Sequence, residues 1–161
     1  MGIQSKNRKE WVLTNLAGMY NNITTVALYD TLGPDATRFI LNQTEMTTVA
    51  VSIDCVLKLI NMKMDDAKSD SPKMHRLANL ISFESELTDE MRAKAGEAAI
   101  QLYSMEEVIM KGREALTKGN KHYNPGQPDD VYMFSYTSGT TGDPKGVKLS
   151  HKMILGCGYA V

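Results

Sequence analysis

Apolar residues along the 161-residue chain recur at two different spacings. Residues 7 to 21 place Val12, Leu16, Met19 and Tyr20 at helical intervals, with Leu13 and Ala17 widening the stripe, and so predict a helix with an apolar face. Ile23 to Leu28 is a short β-branched run and reads as a buried strand. A turn is expected over Tyr29-Asp30-Thr31-Leu32-Gly33, and Pro34 suits the first position of a helix carrying Ala36, Phe39 and Ile40. Thr47 to Ser52 predicts a second strand, and Cys55 to Met64 a helix with Val56, Leu59 and Ile60 inward. Asp65 to Pro72 is polar and reads as a loop.

Farther on, Leu77 to Phe83 predicts a strand, Thr88 to Ala98 a helix, and Ile100 to Tyr103 a short strand. Ser104 and Glu107 form a capping box, S-x-x-E, ahead of the helical positions Met105, Val108, Ile109 and Leu116. Residues 119 to 130, GNKHYNPGQPDD, hold two Gly and two Pro and read as a linker-like loop. A strand over Val131 to Tyr136 leads into a glycine-rich stretch; a short strand over Gly146 to Leu149 and a helix starting at Ser150 follow. Strands alternating with helices predict an α/β fold, a mostly parallel sheet with helices on both faces. The chain opens almost at a helix and stops at Ala160-Val161 inside an apolar helical pattern without a C-cap, which reads as a segment of something longer.

Composition narrows the function classes. The chain is 42% hydrophobic and 23% charged with a net charge of -1, so it has the balance of an ordinary globular protein. Its Lys and Arg are scattered without interleaved aromatics, and nothing in the charge pattern calls for a nucleic-acid partner. Cys55, Cys157 and the three histidines His75, His122 and His151 fall at no zinc-ligand spacing. The opening residues MGIQSKNRKEW lack the apolar core of a signal peptide, and Lys6 stands where a myristoylation motif wants Ser or Thr. No apolar stretch approaches the ~20 residues that span a bilayer. The expected location is cytosol-facing, and attachment to the endoplasmic reticulum or another organelle membrane would rest on segments outside these residues.

The chemistry concentrates in Tyr136 to Gly146, YTSGTTGDPKG, with three glycines, three threonines, one serine and one lysine. Gly139, Gly142 and Gly146 let the backbone approach a ligand closely and aim successive N–H groups at one anion. The hydroxyls of Thr137, Ser138, Thr140 and Thr141 can donate to phosphate oxygens, and Lys145 adds a mobile cation behind the stiffening Pro144. Donors, backbone freedom and one cation at this density suit a polyphosphate. A Walker A loop is excluded because Gly142 is followed by Asp143-Pro144 and Lys145 by Gly146, with no Ser or Thr after the lysine to hold Mg²⁺. A G-x-G-x-x-G dinucleotide loop is absent as well.

YTSGTTGDPKG closely resembles the phosphate-loop signature of the adenylate-forming superfamily: acyl-CoA synthetases, luciferases and peptide-synthetase adenylation domains. Asn7-Arg8-Lys9-Glu10-Trp11 resembles the N-R-x-E-W helix opening of long-chain fatty acyl-CoA synthetases, and Leu28 to Pro34 looks like the L-Y-D-T-L-G-P turn of that branch. Gly146-Val147-Lys148-Leu149-Ser150-His151 matches the G-x-x-x-[ST]-H segment after the loop. The resemblance implies that residues 1–161 are an incomplete N-terminal AMP-binding domain with its phosphate loop at 136–146. It implies a two-step reaction in which ATP and a fatty acid give acyl-AMP, and CoA then displaces AMP. The implied roles are phosphate binding by Thr137, Ser138, Gly139, Thr140, Thr141, Gly142 and Lys145, contact with Mg²⁺ through Thr140 and Thr141, and electrostatic catalysis by Lys145 at the departing pyrophosphate. The implied partners are small molecules, namely ATP, fatty acid and CoA. The alternative is a non-catalytic nucleotide-binding or regulatory domain that keeps only the loop.

Five further residues read more plainly. His151, starting a helix close to the loop, is expected to bond locally; Trp11 reads as a packing residue. Asp30 is expected to bond turn amides, and Asp129 with Asp130 reads as a solvated loop edge.

Overall fold

Seven strands form one sheet in the order β5-β4-β3-β1-β2-β6-β7. The computed structural model describes residues 1–29, 32–120, 123–137 and 143–159, the last without its side chain. In chain order the elements are β1 (Gly2–Gln4), α1 (Lys9–Tyr20), β2 (Thr25–Leu28), α2 (Pro34–Gln43), β3 (Thr48–Val51), α3 (Ile53–Asp66) and β4 (Asn79–Ser82). They continue with α4 (Asp89–Glu97), β5 (Gln101–Ser104), α5 (Met105–Thr117), β6 (Val131–Thr137), β7 (Lys145–Ser150) and α6 (His151–Tyr159). Every pairing is parallel except the last, β6 with β7.

The strand that the sequence pattern missed is the central one. β1 has only three residues, Gly-Ile-Gln, too few for a period-2 pattern to register. It nonetheless pairs with both β2 and β3, and Ile3 is fully buried. Alternation then sorts the side chains. Val49, Val51 and Leu80 point to a large core with α2, α3 and α4, while Ile3 and Ala50 point to a smaller one with Phe83, Trp11 of α1 and Met105 of α5. Helices therefore cover both faces, as expected.

Two helical faces differ from expectation. On α1, Val12, Leu13, Leu16 and Tyr20 are about half exposed, and the buried positions are Asn15 and Gly18. The helix lies so close to β2 that a Cβ at Gly18 would stand 2.8 Å from Thr25 Cγ2. A bulky apolar residue does not fit there, and the large side chains turn outward. α5 likewise leaves Val108, Ile109 and Leu116 exposed, and touches the core through Met105.

Helix ends follow their local chemistry. Pro34 begins α2, and the capping box at the start of α5 is complete, with Glu107 N donating to Ser104 Oγ (3.1 Å) and Ser104 N to Glu107 Oε2 (2.8 Å). α3 runs two residues into the stretch expected to be a loop. Its last residue, Asp66, is buried and accepts from the amides of Lys73 (2.8 Å) and Met74 (2.7 Å), so the acidic end folds the following turn back onto the helix. Three helices end with a left-handed residue that is not glycine: Asn22, Glu45 and Ala99. Each forms the paired C-terminal bonds of a Schellman motif, for example Ile100 N to Ala95 O (2.8 Å) and Ala99 N to Gly96 O (3.0 Å).

Candidate functional site

All six parallel strands end on one edge of the sheet, where open α/β sheets receive ligands. β6 rises beside β2, with Thr25 opposite Met133 and Val26 opposite Phe134. It passes into β7 through the glycine-rich stretch, and β7 returns antiparallel with Thr137 opposite Lys145 and Tyr136 opposite Gly146. The phosphate-loop signature is therefore the connection of a hairpin closed at its mouth by Thr137 and Lys145, both exposed. Ser138, Gly139, Thr140, Thr141 and Gly142 lie outside the described residues.

The stems of this hairpin are held on the side facing α2. Tyr136 is buried, and its hydroxyl donates to Gln43 Oε1 at 2.6 Å. Burial pushes its pKa above the ordinary phenol value, which keeps the group a neutral donor. Opposite it, a Cβ on Gly146 would stand 3.0 Å from Tyr136 Cζ, so the ring takes the space a side chain would need. Neither Gln43 nor the packing role of Gly146 was found by sequence reasoning. The signal for Gln43 lies 93 residues away from its partner.

At the other end of the hairpin, Thr24 Oγ1 donates to Val131 O (2.8 Å), and His151 N donates to Asp130 O (3.1 Å). Asp130 is more than a solvated edge, because its carboxylate accepts from Gln127 N (2.8 Å) and Asn22 Nδ2 (2.9 Å). Asp129 is exposed and pairs with Lys152. His151 is not close to the loop: β7 runs away from it for five residue steps, roughly 17 Å at strand rise. The imidazole packs against Gly126 and the ring of Tyr132, and its buried Nε2 has no hydrogen-bond partner among the described residues. Trp11 is half-buried beside Ile3, Ala50 and Phe83, a packing residue as expected. Asp30 lies outside the described residues.

On the same edge as the hairpin loop, a cavity of about 350 Å³ opens beside the end of β1, with Gln4, Arg38, Lys58 and Asp65 among its walls. Gln4 Oε1 is buried there and also lacks a partner among the described residues. The described residues contain no cluster of three or more His, Cys, Asp or Glu that could hold a metal, and no helix long and apolar enough to cross a membrane.

A mostly parallel sheet with a Gly/Thr-rich connection between Thr137 and Lys145 at its C-terminal edge is an α/β arrangement suited to a phosphate-bearing ligand. The profile of the AMP-binding enzyme family matches residues 1–161, and the chain belongs to that family. Fatty acyl-CoA synthetase B of Dictyostelium discoideum is 33% identical over 161 residues, covering 100% of this chain and 22% of that protein. Human long-chain-fatty-acid–CoA ligase 6 is 32% identical over 155 residues, covering 96% of this chain and 21% of that protein. The chain thus spans about a fifth of the length of the curated relatives it matches. Among solved structures, the adenylation domain of a carboxylate reductase from Mycobacterium chelonae superposes with a TM-score of 0.72 at 18% identity, over 95% of this chain and 24% of that one. The fold is accordingly that of the N-terminal region of an adenylation domain.

Proposed function

We propose that this chain is the phosphate-gripping part of an ATP-dependent acyl-CoA ligase acting on long-chain fatty acids. The observation that carries the reading is YTSGTTGDPKG closed into a hairpin by Thr137 and Lys145 on the ligand-receiving edge of a parallel sheet. The similarity to fatty acyl-CoA synthetases supports the substrate class. In this reading a fatty-acid carboxylate attacks the α-phosphate of ATP, pyrophosphate leaves, and the CoA thiol then displaces AMP from the acyl-adenylate.

The chain's own contribution is to hold the leaving end of ATP. Lys145, exposed at the mouth of the hairpin, reaches the β- and γ-phosphates and opposes the charge that builds on pyrophosphate. Thr137 and Ser138, with the amides of Gly139 and Gly142, supply neutral donors, so the phosphates are fixed in line for attack. Magnesium, when bound, would neutralise phosphate charge, and the hydroxyls of Thr140 and Thr141 would help to hold it.

The test is ATP–pyrophosphate exchange by the full-length protein with short-, medium- and long-chain fatty acids, followed by acyl-CoA formation on adding CoA. Exchange that is most efficient with long-chain acids is expected. Nucleotide binding without exchange on any acid would overturn the ligase reading in favour of a non-catalytic nucleotide-binding domain.

A further inference from the structure

We propose that Tyr136 is a positioning residue for the phosphate-gripping loop, acting with Gln43 and Gly146 as a clamp that fixes both loop stems to α2. The inference rests on the acyl-activating reading above and adds residues that touch no substrate.

Three observations carry it. Tyr136 immediately precedes the loop's first exposed donor, Thr137, and Gly146 immediately follows its lysine; the two stand opposite each other in the β6–β7 ladder. The Tyr136 ring is 3% exposed and lies so close to Gly146 that any side chain there would displace it. The Tyr136 hydroxyl donates at 2.6 Å to Gln43, the last residue of α2. Beside this link lies a cavity of about 550 Å³, walled by Gln43, Glu45, Phe134, Tyr136 and Lys148. The Tyr136 ring packs in the same core as Ile40 and Leu41 of α2, and the phenol–amide bond adds a directional polar link between α2 and the hairpin at the edge of that cavity. A shift of the ring moves both strands that carry Thr137 and Lys145, because the ring belongs to one strand and fills the space above the other. A loop acting by geometry on a polyphosphate is sensitive to displacements of this kind.

The experiment measures steady-state pyrophosphate exchange in the full-length protein for Tyr136→Phe, Gln43→Leu, the double variant and Gln43→Glu, together with thermal midpoints. Loss of the one hydrogen bond is expected to raise KM for MgATP about fivefold in either single variant, with KM for the fatty acid changed less than twofold. The double variant should be no worse than the singles, since they remove the same bond. Gln43→Glu keeps an acceptor and should retain the wild-type KM for MgATP. A purely structural tyrosine would lower the thermal midpoint and leave KM for MgATP unchanged, and that result overturns the proposal. Equal effects on both substrates, or additive effects in the double variant, overturn it too. A wild-type protein inactive with every acid overturns this inference together with the acyl-activating reading; an active wild type with an indifferent Tyr136→Phe overturns this inference alone.

Discussion

Asn15 offers the sharpest test of how this sheet is held together. It is buried on α1, its Nδ2 donates to the hydroxyl of Tyr132 on β6, and its Oδ1 accepts from Thr25 Oγ1 on β2 at 2.8 Å. Thr25 and Tyr132 are themselves buried, so one amide satisfies two interior hydroxyls and ties one helix to two strands. Asn15→Ala leaves the Thr25 hydroxyl without its acceptor and the Tyr132 oxygen without its donor. Each orphaned buried group costs about 1–3 kcal/mol, and together with the small void the expected loss is about 3 kcal/mol. With an m-value near 2 kcal/mol/M, the urea midpoint falls by about 1.5 M. Trp11, the only tryptophan, sits one turn before Asn15 on the same helix and reports the transition by fluorescence. The mechanism is tested by removing the polar partners as well. Asn15→Leu combined with Thr25→Val and Tyr132→Phe leaves no buried group unsatisfied and should recover most of the loss. A midpoint for Asn15→Ala within error of wild type, or a triple variant less stable than the single, would refute the reasoning.

Other expectations are as direct. Glu107 is held below the usual carboxylate range by the Ser104 amide and then by Arg92, so its contribution is present above its unfolded pKa of about 4.3 and is lost as pH falls below it. Thermal midpoints of wild type and Glu107→Gln should therefore differ near neutrality and converge in acid, and Ser104→Ala should cost about 1 kcal/mol at pH 7. Ala99→Gly should raise stability by up to about 1 kcal/mol in urea unfolding, because Ala99 is exposed and adopts φ 51°. On the acyl-activating reading, Lys145→Ala should slow pyrophosphate exchange by on the order of 10²–10³ while fatty-acid affinity, measured alongside, stays unchanged.

How much could be read in advance depends on the range over which each signal acts. Pro34 at a helix start, the Ser104–Glu107 box and the two strands flanking the glycine-rich stretch are local signals, and each falls where the structure has it. β1 failed because a three-residue strand carries no period, although its neighbours on both sides make it central. The outward face of α1 failed for another reason. Helical periodicity ranks positions by hydrophobicity, but close approach at Gly18 and the Asn15 bonds to Thr25 and Tyr132 decide which face meets the sheet. Left-handed helix ends at Asn22, Glu45 and Ala99 were hidden because no glycine marks them. In the candidate site, Thr137 and Lys145 were legible as chemistry, whereas the Tyr136–Gln43 link joins residues whose proximity only the sheet order creates.

The segment Asn7-Arg8-Lys9-Glu10-Trp11 has a structural role that its side-chain contacts make plain. Arg8 Nε donates to Glu10 Oε2 at 2.6 Å, Arg8 Nη1 donates to Glu84, and the guanidinium lies 5.2 Å from the centre of the Phe83 ring. Glu84 in turn accepts from Ile53 N at 2.8 Å, the first amide of α3, whose N-cap Ser52 makes no side-chain capping bond. A carboxylate at that helix start also meets the positive end of the helix dipole. One arginine thus joins the exit of β1, the exit of β4 and the start of α3, all on the edge where β6 delivers its loop. Replacing Arg8 by a lysine would retain charge but lose the fork that serves two carboxylates at once, leaving Glu10 and Glu84 to compete for one ammonium. The motif's arginine and first acid therefore fasten the ligand-receiving edge, while the groups suited to phosphate sit across β2 from it, on the β6–β7 hairpin.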